Sequence, residues 1–284
     1  MVNVLHPGFF SSIQDLGRKD YQHLGVPLSG VMDESASRMA NAILGNDEHC
    51  AVIEITMLGP KLMFNCNTLI AITGANLSPN LNGNSIANFS VIDISKGDVL
   101  AFGKPISGFR AYLAVYRGFQ AEVVLNSRSM YQGITQHNRL QKDDTLEIAS
   151  TNGSIKKYAS LKFKTDYLEN DTIKVYKGPE FEHLTDEQVE VLFNQEFTIS
   201  KENNRMAYQL EEVLANNLSD IITSLVLPGT IQLTPSGKLI VLMRDCQTTG
   251  GYPRILQLSD NSINTIAQKM TGERLKFKLL EYPV

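Results

Sequence analysis

The chain has 284 residues with a hydrophobic fraction of 43%, enough to bury a sizeable core in one large domain or two modest ones. Lysine and arginine number 26 against 30 aspartates and glutamates, a formal charge of −4, which gives no support for a nucleic-acid or anionic-membrane partner. Cys50, Cys66 and Cys246 are odd in number and form no Cys-x-x-Cys pair, as expected of reduced thiols in a cytoplasmic protein; the N-terminus lacks a signal-peptide pattern and no apolar run reaches membrane-spanning length.

In chain order, residues 33–44 place Ala36, Met39, Ala40, Ile43 and Leu44 at helical spacing, with Gly45 as a stop signal. Short β-type runs follow at Val52–Thr56, Thr68–Thr73, Val99–Phe102 and Phe109–Tyr116. The polar stretch that follows, 151–171, has a lysine-rich middle and reads as a linker between an N-terminal half, 1–150, and a C-terminal half, 172–284. The second half opens with a strand at Thr172–Tyr176. Thr185-Asp186-Glu187-Gln188 is a capping-box sequence, which predicts a helix to about Phe193. Strands at Ile221–Leu227, Lys238–Met243 and Arg254–Leu258, a helix over roughly Asn261–Lys269 and a strand at Leu275–Leu279 complete the pattern. Short strands separated by Gly, Pro, Asn and Asp point to a mainly β protein with a few helices, its antiparallel sheets closed into barrels, and not to alternating β-α-β units.

The most informative stretch is Asp245-Cys246-Gln247-Thr248-Thr249-Gly250-Gly251-Tyr252-Pro253. It interrupts two strands with nine residues lacking a large aliphatic side chain. Gln247, Thr248 and Thr249 supply donors and acceptors, and Gly250 and Gly251 allow a ligand close to the backbone. Tyr252 is pushed toward an extended conformation by Pro253. Asp245 either transfers a proton or organises this loop through its backbone. Asp15 and Arg18 make a local ion pair at a turn or present a guanidinium fork to a carboxylate. Ser29 and Asp33 precede the first helix, where capping and anion binding coincide. Glu54 lies on a solvated strand face or inside a barrel mouth. Arg128, between two serines, binds an anion or is exposed. Arg205 sits beside Asn203 and Asn204 in a dense polar cluster. The loop 247–252 and the turn 14–18 are both expected to line pockets.

Several chemistries have no matching motif. There is no Walker-type phosphate loop, since Gly237-Lys238 is followed by Leu239, and no Gly-x-Ser-x-Gly nucleophile elbow. The five histidines make no helical metal pair, so no metal site is expected. No Ala-Met-Lys-Met biotin-attachment sequence stands in the chain.

Three segments together carry a family resemblance: Gln14-Asp15-Leu16-Gly17-Arg18, Gly25-Val26-Pro27-Leu28-Ser29-Gly30-Val31-Met32-Asp33, and Gln247-Thr248-Thr249-Gly250-Gly251-Tyr252-Pro253. Weaker matches include Lys177-Gly178-Pro179, Arg205-Met206 and Gly229-Thr230-Ile231-Gln232. The chain resembles the allophanate hydrolase subunit 2, or biotin-dependent carboxyltransferase, family over nearly its whole length. The best-defined members of that family are the C subunits of bacterial 5-oxoprolinases. The resemblance implies cyclophilin-like β-barrels and ATP-dependent opening of 5-oxoproline to L-glutamate, together with A-like and B-like 5-oxoprolinase partners. ATP would then be a co-substrate bound with those partners. Two alternatives come with it: a urea-carboxylase-like carboxyltransferase served by biotin on another chain, and a non-catalytic regulator that binds a partner protein. Arg18, Arg128 or Arg205 would hold carboxylate or phosphate, and Asp245 would move a proton. The sequence departs from the family pattern where glycine is usual, at Lys19-Asp20, Arg117 and Asn126, and also at His137-Asn138 and Ala207. Loss of these glycines predicts a changed local backbone.

Overall fold

A computed structural model describes residues 1–151 and 165–281. Most of the predicted linker at 151–171 lies outside the described residues. The chain divides into two compact units: Met1–Arg18 with Ser29–Glu169, and Lys19–Leu28 with the residues from Asn170 onward. Three α-helices, α1 Glu34–Leu44, α2 Asp186–Asn194 and α3 Asp260–Ala267, accompany many short strands. Among the described residues no helix is long and apolar enough to cross a membrane. Cys50, Cys66 and Cys246 are free thiols.

The first unit is built on two antiparallel sheets. A five-stranded sheet runs in the order Phe10–Gln14, Val52–Thr56, Ser107–Val115, Thr68–Asn76, Ile92–Ile94. A six-stranded sheet contains Val2–His6, Lys61–Phe64 and Val99–Ala101. Alternation along each strand gives it two faces. Ile53, Ile55, Ile70, Ile72, Ala111 and Leu113 of the five-stranded sheet share one core with Val2, Val4, Leu62 and Phe64 of the other. The opposite face, with Val52, Leu69, Ala71 and Tyr112, packs on Ala36, Ala40 and Leu44 of α1. Every residue of Val52–Thr56 is therefore buried. The predicted solvated face of this strand is the face that α1 covers.

The second unit is a closed barrel of seven strands in the order Thr172–Lys177, Arg254–Leu258, Thr230–Leu233, Lys238–Leu242, Ala207–Val213, Phe197–Asn203, Arg274–Leu279. Among the described residues barrel closure is thus confined to the second unit, whereas the first has two separate sheets. All neighbours are antiparallel except Thr172–Lys177 with Arg274–Leu279, which run parallel. Alternate residues fill the interior: Ile173, Val175, Ile199, Tyr208, Leu210, Ile231, Leu233, Leu239, Val241, Leu275 and Phe277 are all buried. The Phe197 and Phe277 rings pack at 5.2 Å between centroids.

The helix ends follow their local chemistry. Asp33 caps α1 by accepting from Ala36 N at 3.0 Å, and Gly45 closes it in the left-handed conformation. Thr185 and Gln188 form the reciprocal capping box of α2. The predicted strand Ile221–Leu227 is not a barrel strand. Only Ser224–Leu225 is extended, paired with Thr249–Gly250, and Ile222 is fully exposed. Three of the positions where the family pattern has glycine stand in the left-handed region. Asp20, Arg117 and Asn126 have positive φ values of 71°, 62° and 58°, at a cost of about 1–2 kcal/mol for a residue with a Cβ.

Gly178 is fixed by close approach. A Cβ there would lie 2.1 Å from the Arg254 carbonyl oxygen, where the backbone crosses to donate from Gly178 N to Ile255 O. Gly178→Ala is therefore expected to lower unfolding free energy by about 1–3 kcal/mol, read from the urea midpoint. An unchanged midpoint would show that the crossing adjusts freely.

Candidate functional site

The pocket nearest the glycine-rich loop lies on the outer wall of the barrel, not in its mouth. Its volume is about 480 Å³, and its lining includes Gln209, Gln232, Ile240, Leu242, Gln247 and Tyr252. Parity explains its position. Tyr208, Leu210, Ile231, Leu233, Leu239 and Val241 point inward, so Ala207, Gln209, Gln232, Ile240 and Leu242 point outward. Ala207, Ile240 and Leu242 pack with Val226 and Cys246 in a small apolar cluster beneath the pocket. Cys246 packs in this cluster, and burial pushes its thiol up to about 12, which disfavours the thiolate.

The polar groups of the pocket differ in how they are employed. Asn203 Nδ2 donates to Ser200 O and to Thr271 Oγ1, and Asn204 Oδ1 accepts from Met206 N and Ala207 N. These asparagines hold their own turn. Gln209 and Gln247 make no side-chain hydrogen bond to a described residue, and Gln232 makes one, from Nε2 to Tyr252 O at 3.3 Å. Three carboxamides therefore present donors and acceptors above an apolar floor.

The loop that delivers Gln247 is anchored by a buried ion pair. Arg205 Nε and Nη2 donate to the two oxygens of Asp245 at 2.8 and 2.9 Å. Asp245 N returns a bond to Arg205 O at 2.9 Å. Of the two roles open to Asp245 in the sequence, this geometry is that of a loop organiser, since both carboxylate oxygens meet the guanidinium. The strap 221–227 lies alongside, with Ile221 N donating to Gly251 O and Val226 N to Thr248 O. Arg254 Nη1 donates to Leu225 O at 2.9 Å, while Glu180 takes Arg254 Nε and Nη2 at 2.9 and 2.7 Å. The Thr248–Gly251 backbone thus serves the strap, and Gln247 and Tyr252 are the loop residues that reach the pocket.

The candidates of the first unit form two buried networks. Asp15 Oδ1 accepts from Ser127 Oγ, Ser129 Oγ and Gly17 N at 2.6–2.9 Å, and Oδ2 accepts from Arg128 N at 2.6 Å. Arg18 is fully buried and donates to Ser129 O. Gln14 donates to Ser12 Oγ and Met130 O. The turn 14–18 is therefore tied to 127–130. Arg128 donates to Ala121 O and Gln120 Oε1. In the second network Glu54 accepts from Met32 N at 2.6 Å and Tyr112 Oη at 3.0 Å, with Arg110 Nε at 3.8 Å. Asp33 accepts from Tyr167 Oη at 2.7 Å. Burial, then the neighbouring carboxylates, raise both tyrosine hydroxyls above their ordinary range, so both remain donors. Ser29 does not cap α1; its Oγ is buried without a partner among the described residues, and its φ is 56°.

All three arginines proposed for anion binding thus donate to acceptors of the chain itself. Among the described residues no group of acidic, histidine or cysteine side chains could hold a metal. Gln209 and the role of Gln232 were missed in the sequence. Their signal was a lone glutamine between two inward apolar residues, Tyr208-Gln209-Leu210 and Ile231-Gln232-Leu233.

The class is set by a family comparison: residues 24–279 match the carboxyltransferase domain, subdomain A and B, and the chain belongs to this family. It is 30% identical to the C subunit of 5-oxoprolinase from Escherichia coli K12, over 98% of this chain and 90% of that protein. The corresponding protein of Haemophilus influenzae is 27% identical, over 98% and 91%. The crystal structure of K. lactis urea amidolyase superposes with a TM-score of 0.88 at 27% identity, covering 99% of this chain and 19% of that one.

Asp245→Asn leaves Arg205 buried without its counter-charge. It is expected to cost about 3 kcal/mol of unfolding free energy, measured in urea. Full stability with lost turnover would instead make Asp245 the proton carrier. Glu180 is held below its ordinary value, first by the hydrogen bond from Arg254. Its stabilisation is complete above the unfolded value and is lost as pH falls through the folded one. The stability gap between wild type and Glu180→Gln should therefore close from the ordinary glutamate range downward; a gap indifferent to pH would contradict this.

Proposed function

We propose that the chain is the C subunit of an ATP-dependent 5-oxoprolinase, a hydrolase that opens 5-oxoproline to L-glutamate with A-like and B-like partner proteins. The observation that carries this reading is the outer-wall pocket with its three available carboxamides. A lactam offers one N–H, one C=O and a run of methylenes, which match glutamine amides above an apolar floor. Lys201 at the rim meets the substrate carboxylate. The match over 90% of the E. coli protein supports the same reading.

A lactam amide is a poor electrophile, so its opening has to be driven. Phosphorylation of the carbonyl oxygen supplies a better leaving group, and this chain's share is positioning. Arg18, Arg128 and Arg205 are engaged internally, and in this reading ATP binds with the partner proteins. The second reading is a carboxyltransferase component fed by biotin on another chain. The likeness to K. lactis urea amidolyase favours it, and urea is also a small amide that suits the same pocket.

The purified chain alone is expected to show no ATP-dependent release of glutamate. Adding the A-like and B-like proteins should yield glutamate with ATP consumption. Robust turnover by the isolated chain would refute the shared site. Activity obtained instead with a carboxybiotin carrier and urea would establish the carboxyltransferase, and binding without turnover in either mixture would leave a regulator.

A further inference from the structure

We infer that Gln232 is the residue that reads the substrate amide, and that Gly250 is glycine in order to seat it. This rests on the outer-wall pocket being the lactam site. Gln232 is almost wholly buried, at 2% exposure, yet it lines the pocket. Its Nε2 is oriented by the Tyr252 carbonyl at 3.3 Å, while its Oε1 accepts no bond from a described residue. A buried amide fixed at one end and unspent at the other is oriented before ligand arrives, which lowers the cost of ordering on binding. The free Oε1 fits a lactam N–H.

Gly250 supplies the space. It is not among the glycines with positive φ, so its backbone conformation does not require glycine. A Cβ at 250 would lie 2.5 Å from Gln232 Nε2 and 3.3 Å from Val226 Cγ1. Any side chain there displaces the amide that faces the pocket. Gly250 and Gln232 thus come from separate segments and form one reading device. Gln209 and Gln247, by contrast, have no partner holding their amides in one orientation.

The test is a titration of the full 15N-labelled chain with 5-oxoproline and with 2-pyrrolidinone, which lacks the carboxylate, following side-chain amide signals. Both ligands should shift the Gln232 signal. Gln232→Met, which keeps the volume and removes both polar atoms, should weaken binding about tenfold, the upper scale for one neutral hydrogen bond, with an almost unchanged melting temperature. Gly250→Ala should weaken it similarly, although it removes no polar group. The double variant should bind no worse than either single one, because both remove the same contact. The inference is overturned if wild type binds neither ligand, if Gln232→Met binds as well as wild type, or if the two losses add in full. Turnover by the reconstituted mixture decides the 5-oxoprolinase reading separately, whichever way the titration falls.

Discussion

The Arg205–Asp245 ion pair determines where everything in the barrel site can stand. Two charges withdrawn from water are tolerated only when each is met by its partner with good geometry, and here both carboxylate oxygens are met at 2.8 and 2.9 Å. The pair joins the turn 203–206 to the end of the strand Lys238–Leu242. Backbone bonds from Met243 N to Met206 O and from Asp245 N to Arg205 O double the connection. That fixes where the strand stops and therefore where Gln247 emerges. An exposed pair such as Lys177–Glu182 has no such leverage, since water and side-chain freedom offset its attraction.

A closed barrel with a filled interior has no room for a ligand inside. The candidate pocket is an outer-wall feature, created by giving the outward positions a second use. Ala207, Ile240 and Leu242 would be ordinary exposed apolar residues on a bare barrel. With the 246–252 loop and the strap against them they become a floor. Gln209 and Gln232 then stand as polar groups beside that apolar floor, where a hydrogen bond is worth more than in open water.

Features set by neighbours in sequence were legible. The three helices and the caps at Asp33 and Thr185 follow from residues within one turn of each other, as does the stop at Gly45. The mainly β class also followed, because strand length and turn residues are local. What failed was set by tertiary packing. Ile221–Leu227 carries enough aliphatic side chains for a strand, but it finds only the glycine loop to pair with. Glu54 alternates as a solvated residue would, yet α1 covers its face and Tyr112 and Arg110 meet it there. Residue type marked the arginines as suited to anions; their bonds to Ser129, Ala121 and Asp245 are tertiary and were not legible. At Asp20, Arg117 and Asn126 the fold imposes a left-handed conformation that residue type alone does not announce.

The parallel seam of the barrel bears on how the protein is made. The first and last strands of the barrel, Thr172–Lys177 and Arg274–Leu279, are neighbours, so about a hundred residues of chain separate the two edges that must meet. During synthesis the growing barrel exposes an open strand edge until residue 279 has left the ribosome. An open edge invites pairing with another chain. The second unit therefore depends on a late, long-range closure, and a chain cut short before the last strand is left with an unpaired sheet edge.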